Sequence, residues 1–204
     1  MQTRILPAQS AECQQLLADG WELTEESFGA QLRVDQNTPA TLAAAVARMS
    51  EKYYCRALTA ADREAVLELD AATLADYPGG PATAHQALTV EQATPSKVRH
   101  GYGVFSGVDG ALESEAKLVG MTWVEIAEDG ASAEVVFTVI AAESRGSGLG
   151  TAIKAFSLQD LLAREIGSIR TGGSMRNRGI IGANAALGFE IDERWATLVS
   201  AASE

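Results

Sequence analysis

The chain has 204 residues, room for one domain with a sizeable extension, and its 47% apolar, 21% charged composition suits a chain that buries a core. Its formal net charge of −11 argues against non-specific nucleic-acid binding, which runs on basic patches, and mildly favours a cationic acceptor such as an amine. No apolar run approaches the ~20 residues that span a bilayer, and Met1 to Ser10 lacks the features of a secretory signal, so a soluble cytoplasmic protein is expected.

In chain order, Gly20-Trp21-Glu22-Leu23-Thr24-Glu25 resembles Gly188-Phe189-Glu190-Ile191-Asp192-Glu193 at an offset of 168 residues. In both places an Ala-rich helical stretch precedes and an apolar strand follows (Ala30 to Val34; Ala196 to Val199). Residues 1–52 are read as an accessory segment, linked onward by a helix from Pro39 to Ser50; the likeness is either a partial internal repeat or two similar strand entries by chance. Cys13 and Cys55 are too few for a disulfide framework and are not spaced as metal ligands, and His85 and His100 are isolated, so no metal site is expected.

Tyr53 to Leu58 reads as a strand. Thr59-Ala60-Ala61-Asp62-Arg63-Glu64 opens a helix with a cap residue and early acids, and Ala65, Val66, Leu69 and Leu74 are spaced for a buried face. Asp76-Tyr77-Pro78-Gly79-Gly80-Pro81 must end it, because proline and glycine exclude continuation. A weaker helix is expected between Thr83 and Glu91. Strands follow at Gly101 to Val108, Lys117 to Ile126 and Ala133 to Ile140, the last two joined by a hairpin turn at Glu128-Asp129-Gly130. A helix from about Gly148 to Ile166, a strand at Ser168 to Thr171, a helix from about Asn177 to Leu187 and two closing strands (Glu190 to Arg194, Trp195 to Ala201) complete a mixed α/β sheet.

The sharpest signal is Arg145-Gly146-Ser147-Gly148-Leu149-Gly150-Thr151, between a strand and a helix. Glycines at alternate positions allow close backbone approach, so several N–H groups converge with the unpaired N–H groups of the helix start. Such a concavity binds phosphate or pyrophosphate, and Arg145 adds charge. A P-loop would need a Lys-Ser/Thr pair after its second glycine. A dinucleotide fingerprint would need Gly-x-Gly-x-x-Gly and a later acid, whereas the spacing here is Gly-x-Gly-x-Gly and Ser168-Ile169-Arg170-Thr171 supplies no acid.

Thr138-Val139-Ile140 and, four residues on, Arg145-Gly146-Ser147-Gly148-Leu149-Gly150 resemble the acetyl-CoA signature of the GNAT (GCN-related N-acetyltransferase) superfamily. Asn177, Asn184 and Leu187-Gly188-Phe189 are similar to that family's Asn-bearing helix and its Leu-Gly-Phe ending; together these cover about Tyr53 to Ala201, within an expected domain of residues 53–204. The resemblance implies a GNAT acyl-CoA N-acyltransferase fold. It also implies that the strand ending at Ile140 splays from the strand at Ser168 to Thr171, with pantetheine in the gap, its amides on the backbone of Thr138, Val139 and Ile140. The pyrophosphate would rest on Arg145, Gly146, Ser147, Gly148, Leu149, Gly150 and Thr151, and Asn177 and Asn184 would complete the coenzyme A site. Asn177 also suits a helix cap.

A lysine-like amine with a pKa of ~10.4 is neutral in only about 1 molecule in 2,500 at pH 7, so attack on a thioester gains from a base. Glu134, in Ala133-Glu134-Val135-Val136-Phe137, matches the Ala-Glu-apolar stretch that carries the base in histone-type members, with Glu125 in reserve. The family's tyrosine acid falls at Asn184, which cannot donate a proton as an acid. A thiol pKa of ~8.5 makes thiolate a tolerable leaving group without one, and branches similar to mycothiol synthase also carry Asn there. A backbone N–H near Val139 or Ile140 would stabilise the oxyanion. Acceptor specificity is placed by position at Asp76, Tyr77, Pro78, Gly79, Gly80 and His85, where a carboxylate and a ring face suit an ammonium.

The expected function is transfer of acetyl from acetyl-CoA to a primary amine of a small molecule or peptide by direct attack, without nucleic-acid or membrane partners; a homodimer is compatible with the sequence. Two alternatives stand beside it: a non-catalytic acyl-CoA-binding regulatory module, and a nucleotide-binding protein that prefers ATP or NAD at the same loop.

Overall fold

A computed structural model describes residues 2–77, 80–107 and 116–200. The first strand, β1 (Thr3–Pro7), is followed by helix α1 (Ala11–Ala18), capped by Ser10, whose hydroxyl accepts from the Cys13 amide. Strand β2 (Glu22–Leu32) and helix α2 (Thr38–Ala47) follow. The chain continues through β3 (Tyr53–Ala57), a short turn of 3₁₀ helix and α3 (Arg63–Thr73). Three antiparallel strands then form a meander: β4 (Arg99–Ser106), β5 (Lys117–Ile126) and β6 (Ser132–Ile140). Helix α4 (Leu149–Ala163), strand β7 (Ser168–Ser174), helix α5 (Arg178–Ala186) and strand β8 (Phe189–Val199) close the fold.

Among the described residues, eight strands join one sheet in the order β1-β8-β2-β7-β6-β5-β4-β3, and the single parallel pair is β6 with β7. Adjacent residues of β5, Trp123 and Val124, are both 0% exposed, so the sheet is covered on both faces. Helix α3 packs on β5 and β6, and α4 packs on β4, β5 and β6 with α2 across its back. That double covering explains why α4 is apolar nearly all round: Leu149, Ile153, Leu158 and Leu161 are all buried. Each such side chain contributes about 1.5–3 kcal/mol of burial.

The start of the α3 region follows its sequence signature. Thr59 and Asp62 form a reciprocal capping box, and both terminal guanidinium nitrogens of Arg56 donate to Asp62, at 2.8 and 2.7 Å. Apolar Val66 and Leu69 face the sheet as their spacing predicts, and Asp70 and Thr73 join them in the buried stripe.

The first 52 residues form no separate layer. Strand β2 lies between β7 and β8, β1 extends the sheet beyond β8, and α2 covers α4. Strands β2 and β8, which carry the two similar segments, run antiparallel side by side. Each follows a helix that ends at a glycine of positive φ, Gly20 at 87° and Gly188 at 91°.

Three expectations differ from the structure. No helix forms between Thr83 and Glu91; the Asp70 carboxylate takes the Leu88 amide (2.8 Å) and the His85 ring, pinning that irregular stretch to α3. The two closing strands are one, β8, whose irregular register against β2 absorbs the change of pattern near Arg194. Helix α4 stops at Ala163, where Glu165 takes a φ of 60° and Ile166 turns back into the core. Val108, Pro78, Gly79 and Ala201 lie outside the described residues.

Candidate active site

The site is built on a fork in the sheet. Strand β6 pairs with β7 only from Ser132/Ser168 to Val135/Thr171. Beyond that point β7 continues against β2 while β6 continues against β5, so β6 from Val136 to Ile140 has no strand partner on its β7 side. At ~3.3 Å per residue this leaves roughly 13 Å of open backbone edge. Val136 is an extra residue in the ladder: Val135 pairs with Val124 and Phe137 with Trp123. A bulge of this kind bends a strand and re-aims its side chains. Here it places Glu134, opposite Glu125, on the same face as Phe137, opposite Trp123.

At the far end of the open edge, residues 145–148 form an exposed loop into α4. Gly146 and Gly148 adopt φ of 75° and 80°, and a Cβ built on either meets no atom within 4 Å. Gly148 is the N-cap of α4, no side chain caps the helix, and its first turn holds no acid. The helix therefore presents bare N–H groups and its positive dipole end to open space, a cradle for a diphosphate. Ser147 closes the loop by donating to the Ser144 carbonyl. Leu149 is buried as an anchor, and Gly150 and Thr151 lie in the first turn. Arg145 does not reach outward: its Nε donates to the Ile140 carbonyl (2.9 Å) and its other nitrogen pairs with Asp76. That contact places Asp76, expected in the acceptor region, beside the glycine loop.

Around the fork lies a cavity of about 650 Å³. Glu134, Phe137 and Thr138 of β6, Arg170 of β7, and Tyr77 and His85 from the segment after α3 line it, as does Asn177 at the start of α5. Thr138 bonds to Thr122 (2.8 Å), and Val139 is buried. Asn177 caps α5 by accepting from the Ile180 amide (3.1 Å), which leaves its amide nitrogen unpartnered among the described residues and next to the cavity. Glu134 is exposed and sits on the closed side of the fork, in register with Arg170, which donates to Asp192 and Glu193. Glu125 pairs with Arg99.

Asn184 does not line the cavity. It is 3% exposed, and its carbonyl oxygen accepts from the ammonium of Lys154, which does line it. Asn184, expected to contact coenzyme A, thus meets the cavity only through Lys154. Lys154 also donates to Thr171 (3.1 Å), and Thr171 donates to the Val135 carbonyl (3.2 Å) at the last pair before the strands part. Burial pushes the Lys154 ammonium down to about 7. Sequence reasoning missed this residue, although a lone lysine among Ile153, Ala155 and Phe156 was a visible break in an apolar helix. It also missed Asp70, a carboxylate on the buried stripe of α3. Cys55 is held protonated, its thiol pushed up to about 12 by burial.

No protein-family model matches the sequence, and no curated protein does. Solved structures do match the fold. A GCN5-related N-acetyltransferase from Sphaerobacter thermophilus superposes with a TM-score of 0.70 at 13% identity, covering 96% of this chain and 58% of that one. A tandem GNAT protein from the clavulanic acid biosynthesis pathway gives 0.64 at 22% identity over 99% of this chain and 63% of that one. A GCN5-related N-acetyltransferase-like protein from Streptococcus suis gives 0.63 at 16% identity, covering 95% and 70%. The chain thus spans about three fifths of the length of the first two and has the mixed α/β fold of the GCN5-related N-acetyltransferases.

Proposed function

We propose that this chain transfers an acyl group, acetyl in the simplest case, from acyl-coenzyme A to an amine held in the cavity. The observation that carries the reading is a continuity: the unpaired edge of β6 runs from the cavity directly into a glycine cradle at an uncapped helix start. An extended amide chain hydrogen-bonds to such an edge, and a diphosphate fits such a cradle. The fold shared with GCN5-related N-acetyltransferases supports it.

The residues present fit coenzyme A. Gly146, Ser147, Gly148, Gly150 and Thr151 would hold the diphosphate by main-chain donors, with Arg145 turning from Asp76 to add its charge. Thr138, Val139 and Ile140 would bind the pantetheine amides, and the free amide nitrogen of Asn177 would reach it from α5. The cofactor supplies an activated acyl thioester whose sulfur is a good leaving group. A backbone N–H on the open edge near Val139 would stabilise the oxyanion. Glu134, exposed in the cavity lining, supplies negative charge that draws an ammonium, while Glu193 is paired with Arg170.

The direct test is thiol release from acetyl-CoA with a panel of primary amines. Release that depends on an acceptor supports transfer. Tight coenzyme A binding with no release from any amine would leave a binding module instead.

A further inference from the structure

Within that acyltransfer reading, on which this step rests, we propose that His85, oriented by the buried carboxylate of Asp70, is the base that takes the proton from the attacking amine. The case begins with Asp70, 2% exposed on α3. One carboxylate oxygen accepts the Leu88 amide at 2.8 Å, and the other lies 2.6 Å from His85 Nε2. A carboxylate there requires Nε2 to carry a hydrogen and donate it. The neutral imidazole then keeps its lone pair on Nδ1. Nδ1 has no hydrogen-bond partner among the described residues, and His85 lines the cavity.

The ring cannot easily turn away. Tyr77 stacks on one face with centroids 4.2 Å apart and an interplanar angle of 12°, and Phe137 meets it at 4.6 Å and 59°. Rotation of His85 would break both aromatic contacts and the bond to Asp70.

Position separates His85 from Glu134. Phe137 is the first residue after the bulge, on the open part of β6, so the His85 ring packs on a side chain of the segment along which the thioester would lie. Glu134 precedes the fork, where β7 closes that edge beside Arg170. The other ionisable groups around the cavity are Tyr77, Lys154, Arg170 and Glu193. Burial, with the charge of Asp70, pushes the Tyr77 phenol up and keeps it neutral.

In the step, the amine nitrogen forms a bond to the thioester carbonyl carbon and the carbon–sulfur bond breaks, its electron pair leaving with sulfur. The nitrogen's proton passes to His85 Nδ1. From the imidazolium it goes through solvent to the thiolate, giving amide and free thiol. Asp70 is a positioning residue: it fixes the tautomer and stabilises the imidazolium.

The test compares His85→Gln, Asp70→Asn and Glu134→Gln with wild type, using thiol release for kcat and kcat/KM against pH and calorimetry for coenzyme A. His85→Gln should bind coenzyme A with unchanged Kd, lose about 10²–10⁴-fold in kcat, and lose the rise of rate on the acid side. Asp70→Asn should keep that rise but move it to lower pH, a change a merely structural pin would not produce. If His85→Gln fails to fold, the Asp70→Asn profile decides. Turnover by His85→Gln with a wild-type pH profile overturns the assignment, and so does loss of the acid-side rise in Glu134→Gln alone. Wild type that binds coenzyme A without any acceptor-dependent release overturns transfer and His85 together. Wild type that binds none overturns the cofactor site.

Discussion

The ammonium of Lys154 donates to the side-chain carbonyl of Asn184, and both residues are shut off from water beneath the fork where β6 and β7 part. A lysine in such a place is costly when charged. It holds the two strands together at their last pair through Thr171, while its neighbour Asn184 leaves one amide nitrogen buried without a partner among the described residues.

Stability should therefore depend on pH in a defined direction. The folded pKa near 7 lies below the ordinary 10.5, so between those values the unfolded chain binds the extra proton. Below about pH 7 both states carry the charge and the burial penalty is complete; rising pH relieves it until about 10.5. From pH 7 to 9 wild type should gain on the order of 2 kcal/mol relative to Lys154→Met. Denaturant melts of both proteins at the two pH values check this, and parallel pH dependences would contradict it.

Asp62 should act in the opposite sense. Burial raises its carboxyl, but the bonds from Arg56 and Thr59 outweigh that and hold it below the usual range. Its contribution is complete above the ordinary value near 3.9 and is lost as pH falls through the lower folded value. Asp62→Ala should cost about 1–3 kcal/mol at pH 7 and much less at pH 3, read from urea melts.

Arg145 and Asp76, both about half exposed, are paired beside the glycine loop. Freeing the arginine by Asp76→Ala should tighten coenzyme A binding by about 2- to 5-fold at low salt, since an exposed pair is worth at most ~1 kcal/mol. The gain should vanish in about 1 M salt, where screening acts within ~3 Å. Titrations at two salt concentrations measure it.

Gly148→Val should abolish coenzyme A binding while the protein stays folded. The added side chain would enter the open space of the cradle, where no atom of the protein now stands, and a positive φ costs a non-glycine residue about 1–3 kcal/mol. Thermal melts confirm folding, and titration reads the loss of binding.

Much of this was legible in the sequence because the signals were local. The capping box at Thr59 and Asp62, the hairpin at Gly130 and the glycines of the loop each act within a few residues. The missing helix after Thr83 was not legible, since Asp70, 15 residues before His85, captures that segment from another element. Nor could local pattern show that β2 inserts between β7 and β8, or that Asn184 points at Lys154 across 30 residues. The fork itself was foreseen only through family resemblance. The extra residue at Val136, beside the point where β6 and β7 part, carries no distinctive composition.

The account stands most directly on a calorimetric titration of wild-type protein with coenzyme A, repeated in the presence of excess ATP or NAD. Saturable binding at one site, little changed by either nucleotide, is the predicted result. Absence of heat at millimolar coenzyme A, or its displacement by ATP or NAD, would contradict the assignment of the glycine loop and the open β6 edge to an acyl-coenzyme A.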